Sequence, residues 1–578
     1  MLILLLALTV GTGASGASAV APAWTTYRHD AARSGIDPDS TRPVTPSQSW
    51  QTPALDGEVY AQPLVYGSHV YVATENDTIY GLDAATGAVA WSTHVATPEA
   101  SSMAPCGDIS PSIGITSTPV IDPATNRIYA VGAASDGSHS SSVHHDLFAL
   151  DLSSGHEVAG FPVAVDPPFP IGGAPRDQLQ RPGLALDAGR ILIGYGGNDG
   201  DCSTYWGWLV SAPESGGGAL SFFQSDPHYD KGAVWAAGNA PAIDASGHVF
   251  IATANGTSSD SNNPDFGDAV VKLDASAHTL DWWAPPNWHD LDSSDADLGS
   301  SMPTLLPGGY LFQTGKDGNG YVLNGANLGH VSAAPFSDAC GGGSFGGSVY
   351  DPGNSTIYAT CGGLTALSLR LGSPPSFTAK PGFAATSSAD GPPMIAGGLV
   401  WATNQSGDLY GLDPTTGATR AHFSIPENGS DVNHFASPSA GGGRLFIASG
   451  DQVTAYTIAQ PPPPTPTPPV LSRLRVTPRR VRVSRRRRLK AKVTYTLSEA
   501  ATVTLTVKRR VRAREGNHYW VRVHGRITLK GRAAANKFTF RGRIGGHRLG
   551  RGRYELIATP SSGGLTGAAR IATFVVVR

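Results

Sequence analysis

The run NDTIYGLDAATGAVAW at 76–91 returns as SGDLYGLDPTTGATR at 406–420, and looser copies fill the chain between them. In QPLVYGSHVYVATENDTIYGLDAATG, apolar alternation at Val70 and Val72 gives way to a polar turn at Asn76 and Asp77. A second run follows at Ile79, Tyr80 and Leu82. Alternation broken by Asn, Asp and Gly is the pattern of antiparallel hairpins. In DAATG the aspartate can accept hydrogen bonds from its own turn and the glycine can adopt positive φ, which suits a tight reversal.

The weaker copies include HDLFALDLSSGHEV, WGWLVSAPESGG, GDAVVKLDASAHTL, GNGYVLNGANLG, CGGLTALSLRLG and QVTAYTIA. Leu82, Leu150, Val210, Leu273, Leu323, Leu367, Leu412 and Tyr456 mark the end of the third strand in successive units, spaced 44 to 68 residues apart. Eight four-stranded units at this period predict a β-propeller, since radial packing covers both faces of every sheet and leaves only short edges. A solenoid of sheets is the competing arrangement. The last unit stops soon after its third strand, so the missing strand is expected from the N-terminal side, around Ser49 to Thr52.

The rest of the chain reads as separate pieces. Residues 1–23 hold an apolar run, Leu2 to Val10, then small residues with Ala17, Ser18 and Ala19 as a cleavage site, although the first basic residue is Arg28. That is a secretory signal peptide and too short to span a membrane, so no transmembrane segment is expected after its removal. Four cysteines in an exported chain predict two disulfides, with Cys106 paired to Cys202 and Cys340 to Cys361. PPPPTPTPP, within a linker at 460–470, reads as a stiff polyproline spacer of roughly 28 Å. Beyond it, residues 471–578 carry 28 Lys and Arg against three acids, which leaves 14 basic and 42 acidic residues in the preceding part. The overall net charge of −3 therefore conceals two oppositely charged bodies.

The pattern P-V/L-V, VYVAT and D-x-I-Y-G-L-D-A-A-T-G-x-x-x-W resembles the pyrroloquinoline quinone (PQQ) repeat, the blade unit of quinoprotein alcohol dehydrogenases and of related non-enzymatic propellers. The resemblance spans Trp24 to Ala459 and implies an eight-bladed propeller over 24–459. GITSTPVID, QRPGLALDAGRILIGYGG and DADLGSSMPTLL are also similar to a secreted bacterial subfamily of such propellers. In the tail, TYTLSEAATVTLTV and GRYELIATPSSGG are similar to Arg-rich immunoglobulin-like modules of actinobacterial exported proteins. The implied fold is all-β: an eight-bladed propeller followed by a small basic immunoglobulin-like β-sandwich at 471–578.

Quinone dehydrogenases use a carboxylate to take the substrate hydroxyl proton, a cation facing the quinone oxygen, and Ca²⁺ held by oxygen ligands. By resemblance, DADLGSS places the base at Asp297 and GKDGNGYVLN places the cation at Lys316, on neighbouring strands of one blade. QRPG adds Arg181 as an anion contact in the funnel and a contributor to cofactor binding. The pattern departs from the family in lacking adjacent cysteines, and the family's Glu and Asn calcium ligands have no clear counterpart, so PQQ and Ca²⁺ enter only as the cofactors of that alternative. The competing reading makes Asp297 a turn cap and Lys316 an ordinary strand-edge cation.

Other clusters read as structure. HDLDSSDAD at 289–297 lacks calcium-loop spacing, and SHSSSVHH with His139, His144 and His145 reads as a hairpin tip. Trp206, Trp208, Trp235, Trp282, Trp283 and Trp288 serve either a sugar-binding face or blade packing. No phosphate loop occurs.

These observations lead to a secreted or wall-associated binding or scaffolding propeller whose basic tail adheres to anionic wall polymer or polysaccharide. Sequence-specific nucleic-acid readout is not expected, because SRRRRLKAKV has few aromatics around it. The alternative is a PQQ- and calcium-dependent dehydrogenase of alcohols or sugars.

Overall fold

Each expected third-strand marker lies on a third strand: Leu82 on Thr78–Asp83, Leu150 on His144–Asp151, Val210 on Trp208–Pro213 and Leu273 on Val270–Leu273. Leu323, Leu367, Leu412 and Tyr456 follow on Asn319–Asn324, Leu364–Arg370, Asp408–Leu412 and Gln452–Ala459. The computed structural model describes residues 23–170, 172–257, 265–386, 388–404, 406–425, 435–460, 468–482, 490–513 and 518–577. The signal peptide expected before residue 23, the proline run at 461–467 and the arginine run at 483–489 lie outside the described residues. The chain divides into two compact units, one holding residues 20–462 and the other the segment from 463 onward.

The first unit is a ring of eight antiparallel sheets, each a meander from a short inner strand outward. The first sheet, for example, runs Leu64–Tyr66, His69–Ala73, Thr78–Asp83, Val89–His94. Apolar side chains collect between neighbouring sheets. One cluster joins Val70 and Ile79 of the first blade to Phe446 and Tyr456 of the eighth, and another joins Leu192 of the third to Ile251 of the fourth and Leu311 of the fifth. Both faces of a blade are covered, so its strands read as apolar runs at their centres.

The DAATG turn forms as its chemistry requires. Asp83 Oδ1 accepts from the Ala85 and Thr86 amides at 3.0 and 2.9 Å, and Gly87 has φ 73°. The glycine has a second reason to be there. Trp50 donates its indole N–H to the Ala84 carbonyl at 3.1 Å, and a Cβ on Gly87 would stand 2.6 Å from the Trp50 ring. One blade on, Trp91 donates to the Leu152 carbonyl at 3.1 Å and its ring covers Gly155, which has φ 70°. Trp50 and Trp91 thus each dock on the turn of the next blade.

Trp50 belongs to the strand that closes the ring. Pro43–Gln51 pairs antiparallel with Gln452–Ala459 as the outermost strand of the eighth sheet. It begins earlier than the expected Ser49 and carries two register shifts.

The residues just before it follow a path that periodicity gave no sign of. Ala23–Trp24 adds a fifth strand to the inner edge of the first blade. Thr25 and Ala31 carbonyls then accept from the Ile121 and Ile243 amides at 2.7 and 2.8 Å, and the Gly35 carbonyl from the Ile395 amide at 2.8 Å. Arg28 is 1 % exposed and donates to the Pro393 carbonyl at 2.9 Å and the Ser348 carbonyl at 2.5 Å. Arg33, 2 % exposed, donates to Pro241 at 2.9 Å. One segment therefore ties the inner strands of five blades and fills the centre of the ring. Guanidinium forks do this because a single one can satisfy several carbonyls at once.

The second unit packs a three-stranded sheet (Leu471–Thr477, Ala491–Leu497, Ala534–Phe540) over a six-stranded one built mainly from Ala501–Arg512, His518–Gly531, Gly552–Ser562 and Arg570–Val577. Val493, Val503, Leu505, Leu556 and Phe574 form its shared core. Strict alternation in Ala501–Val507, buried then half-buried, is the mark of strands with one covered face.

If the Trp91 ring is seated on Gly155, Gly155→Ala places a methyl group inside it and forces a positive-φ residue to carry a side chain. A loss of about 2 kcal/mol is expected, read as a lowered urea midpoint by tryptophan fluorescence.

Candidate functional site

A cavity of about 370 Å³ opens at one end of the propeller. Its walls come from loops of successive blades: Asp108 after the first, Arg181 and Asp201 of the third, Trp235 and Asn255 of the fourth, Asp297 and Lys316 of the fifth, with Phe345 and Phe435 further round. Only a position on the ring axis can be reached from so many blades, so the cavity is axial. It also holds all three residues singled out from the sequence, Asp297, Lys316 and Arg181.

Asp297 and Lys316 do not lie on strands, contrary to expectation. Asp297 precedes the short turn Leu298–Ser300, and Lys316 sits in the hairpin between Tyr310–Thr314 and Asn319–Asn324. In a propeller the strand interiors are spent on packing neighbouring blades, so the axial rim is left to loops. The two loops are stitched backbone to backbone, with the Lys316 amide donating to the Asp297 carbonyl at 2.9 Å. Gly315 permits this approach, since a Cβ there would be 2.5 Å from the same carbonyl oxygen. Below, the Leu298 amide donates to the buried Asp268 carboxylate at 2.7 Å, and Gln313 donates to the Leu298 carbonyl at 2.7 Å.

Lys316 Nζ contacts Asp297 Oδ2 at 2.5 Å and Asp295 Oδ1 at 2.9 Å. The Asp297 side chain is 5 % exposed, and its Oδ1 is buried with no hydrogen-bond partner. Burial pushes the Asp297 carboxyl up to about 6, and Lys316 holds it from rising further. Burial works to lower the Lys316 ammonium, but Asp297 and Asp295 outweigh it and raise it. A carboxylate with one oxygen on a cation and the other buried without a partner, in a residue that lines a cavity, keeps the capacity to accept a proton or hydrogen bond.

Arg181 is 9 % exposed and its guanidinium lies over the Tyr60 and Phe435 rings, 5.3 and 5.7 Å from their centres. Phe435 stacks on Phe345 at 5.0 Å, giving one apolar wall. Tyr27 of the central segment lies within electrostatic reach of Arg181, so the N-terminal plug underlies this side of the cavity.

Both disulfides form at this end. Cys106–Cys202 joins the loop carrying Asp108 to the one carrying Asp199 and Asp201, and Cys106 Sγ would lie 3.7 Å from a Cβ on the cavity-lining Gly200. Cys340–Cys361 backs the Lys316 hairpin, where the Cys340 amide donates to the Gly318 carbonyl at 2.8 Å.

Other sequence candidates do not gather here. Trp206, Trp208, Trp283 and Trp288 are buried in blade packing, and Trp282 stacks on His330 at 4.8 Å; of the six, Trp235 alone lines the cavity. His144 and His145 begin the strand His144–Asp151 rather than a hairpin tip, and His145, 1 % exposed, contacts Asp166 at 2.8 Å. Among the described residues no group of three His, Cys, Asp or Glu is placed to hold a metal ion. The residues that the sequence did not single out, Asp108, Asp201, Asn255, Phe345 and Phe435, obey a simple rule. They occupy the same two loop positions as Asp297 and Lys316, before an inner strand or after a second strand, so the register of the repeat could have found most of them.

Residues 43–164 match the family described as outer membrane protein assembly factor BamB, whose unit is the PQQ-like repeat. No curated protein matches the chain. Among solved structures, the quinohemoprotein alcohol dehydrogenase of Comamonas testosteroni is similar at 14 % identity, covering 78 % of this chain and 82 % of its own, with a TM-score of 0.54. Quinohemoprotein alcohol dehydrogenase ADHIIG of Pseudomonas putida HK5 gives 14 %, 78 %, 83 % and 0.51, and a europium-containing methanol dehydrogenase 12 %, 75 %, 98 % and 0.55. The fold is thus a PQQ-repeat-like β-propeller. It is shared with quinoprotein alcohol dehydrogenases at identities that speak for architecture alone.

Asp297 binds its proton more tightly folded than unfolded, where 3.8 is usual. Its contribution to stability is complete below about pH 4 and is lost as pH rises through about 6. Asp297→Asn should abolish up to about 3 kcal/mol of this loss, seen as a flatter urea midpoint between pH 4 and 8 than in the parent protein.

Proposed function

We propose that the propeller is an extracytoplasmic binding protein that takes a neutral or cationic, hydroxyl-rich small molecule into its axial cavity. The observation that carries this reading is the charge of the walls around an unpartnered Asp297 oxygen: five aspartates, at 108, 199, 201, 295 and 297, stand against Arg181 and Lys316. Carboxylates and the Asn255 amide accept from hydroxyl or ammonium donors, Lys316 donates, and Trp235, Phe345 and Phe435 offer apolar faces. The two disulfides agree with an oxidising compartment, and a signal peptide at 1–23 would direct the chain there.

The second reading, a PQQ-dependent dehydrogenase of alcohols or sugars, is favoured by one observation: Asp297, Lys316 and Arg181, chosen by resemblance to quinone enzymes, share one cavity with Trp235. The fit to the cofactor is partial. Lys316 and Arg181 would face a quinone's oxygens and carboxylates, and Trp235 its ring. Calcium would have to draw on the ligand's own oxygens besides Asn255 and nearby carboxylates, because among the described residues no group of three His, Cys, Asp or Glu is placed to hold it. The quinone would supply the electron acceptor. This chain's part would be Asp297 Oδ1 taking the hydroxyl proton, with Lys316 holding Oδ2 and fixing the carboxylate's direction.

We read the tail as an immunoglobulin-like module that adheres to anionic envelope polymers. Its 28 basic residues against three acids support this, as does the absence of any ion pair from residue 471 onward among the described residues.

The two readings of the cavity part on one titration. Calorimetry should show saturable binding of a polyol or amino sugar, weakened more than tenfold in Asp297→Ala, and no absorbance change or dye reduction with PQQ and Ca²⁺. Dye reduction by an alcohol that is lost in Asp297→Asn overturns the binding-protein reading in favour of the enzyme.

A further inference from the structure

The solvent face of the three-stranded sheet in the second unit carries a row of cations. A groove of about 820 Å³ crosses it, and its lining holds five cations, Arg473, Arg475, Lys492, Arg532 and Lys537, with no acid. Register explains the arrangement. Arg475 pairs with Thr494, which pairs with Lys537, so one cross-strand row reads Arg, Thr, Lys. The next row on the same face is Thr477, Lys492, Thr539. Val476 and Val493, between these rows, point into the core instead.

Arg473 is brought to the groove by an irregularity. Two residues, Arg473 and Leu474, stand opposite the single Tyr495, and Arg473 takes φ 53°. A bulge of this kind turns a side chain out of the alternation. Arg532 is placed by a turn in which its amide donates to Asn536 Oδ1 at 3.0 Å and its carbonyl accepts from Asn536 Nδ2 at 2.7 Å. None of the five makes an ion pair among the described residues.

Threonine hydroxyls between guanidinium and ammonium groups form a donor surface suited to phosphate oxygens. The groove offers no carboxylate to accept from sugar hydroxyls. Its one aromatic, Tyr495, is 3 % exposed and belongs to the core, so neither a sugar ring nor a nucleobase has a face to stack on. We propose that this groove is a binding site for a linear phosphodiester polymer of the polyol-phosphate type. The proposal rests on the adhesion reading above and assigns it to one face of the tail.

The test uses the full chain and poly(glycerol phosphate) as probe, with polygalacturonate and double-stranded DNA as competitors. Binding should fall about 50-fold between 50 and 200 mM salt, as about four neutralised phosphates require. Arg475→Glu combined with Lys537→Glu should cost more than tenfold. Arg522→Glu with Arg526→Glu, on the other sheet, should change binding less than twofold. Both pairs lie on exposed strand positions, and an unchanged circular dichroism melt will show that each variant folds. Equal loss in both variants overturns the groove while leaving charge-driven adhesion standing. Polygalacturonate or DNA binding as tightly as the polyol phosphate overturns the ligand class. No binding of any polyanion by the parent chain overturns the adhesion reading and the groove together.

Discussion

Closure of the ring is the constraint on which everything else in the propeller depends. A four-stranded meander has two apolar faces and two open edges, and it becomes stable only when a blade stands on either side. The first and eighth blades are joined by Pro43–Gln51 on Gln452–Ala459, and the contact is set by Trp50 on the first DAATG turn. Trp91 on Gly155 repeats that contact one blade further on. The recurring phrase is therefore less a strand than half of a joint. At these two joints the tryptophan is one part and the next blade's Asp-to-Gly turn is the other.

The segment at 23–37 turns this ring into a closed vessel. By binding inner-strand backbone across five blades, Arg28, Arg33 and their neighbours occupy the axis beside the cavity. The same end carries both disulfides and the Asp297–Lys316 pair. Rigidity and chemistry coincide there. Loops that must hold a buried, unpartnered carboxylate oxygen cannot rely on strand ladders, and cross-links take their place.

Much of the architecture was legible in the sequence because it depends on period. Alternation and the spacing of Leu82 through Tyr456 placed a third strand in each of eight sheets. The charge step after residue 470 separated an acidic part from a basic one. The site was legible only in part. Asp297, Lys316 and Arg181 came from resemblance, and the strand placement of Asp297 and Lys316 was mistaken because a short motif does not say whether it sits inside a ladder or at its end. Trp235 could not be told from Trp283 or Trp288 by type, since burial depends on which side of a blade the chain leaves from. Asn255 and Asp201 were ordinary loop residues until the ring brought their blades together.

Local chemistry, then, determined by itself what the units would be: four strands, a tight turn, and enough repeats to need a circle. Those features act over a few residues or at fixed spacing, so they survive as patterns in one dimension. Tertiary structure alone decided what meets at the axis. The plug, the unpartnered Asp297 oxygen and the Arg475–Thr494–Lys537 row join positions far apart along the chain or set by strand register. Distance and solvent exclusion create them, and neither is written in the order of residues.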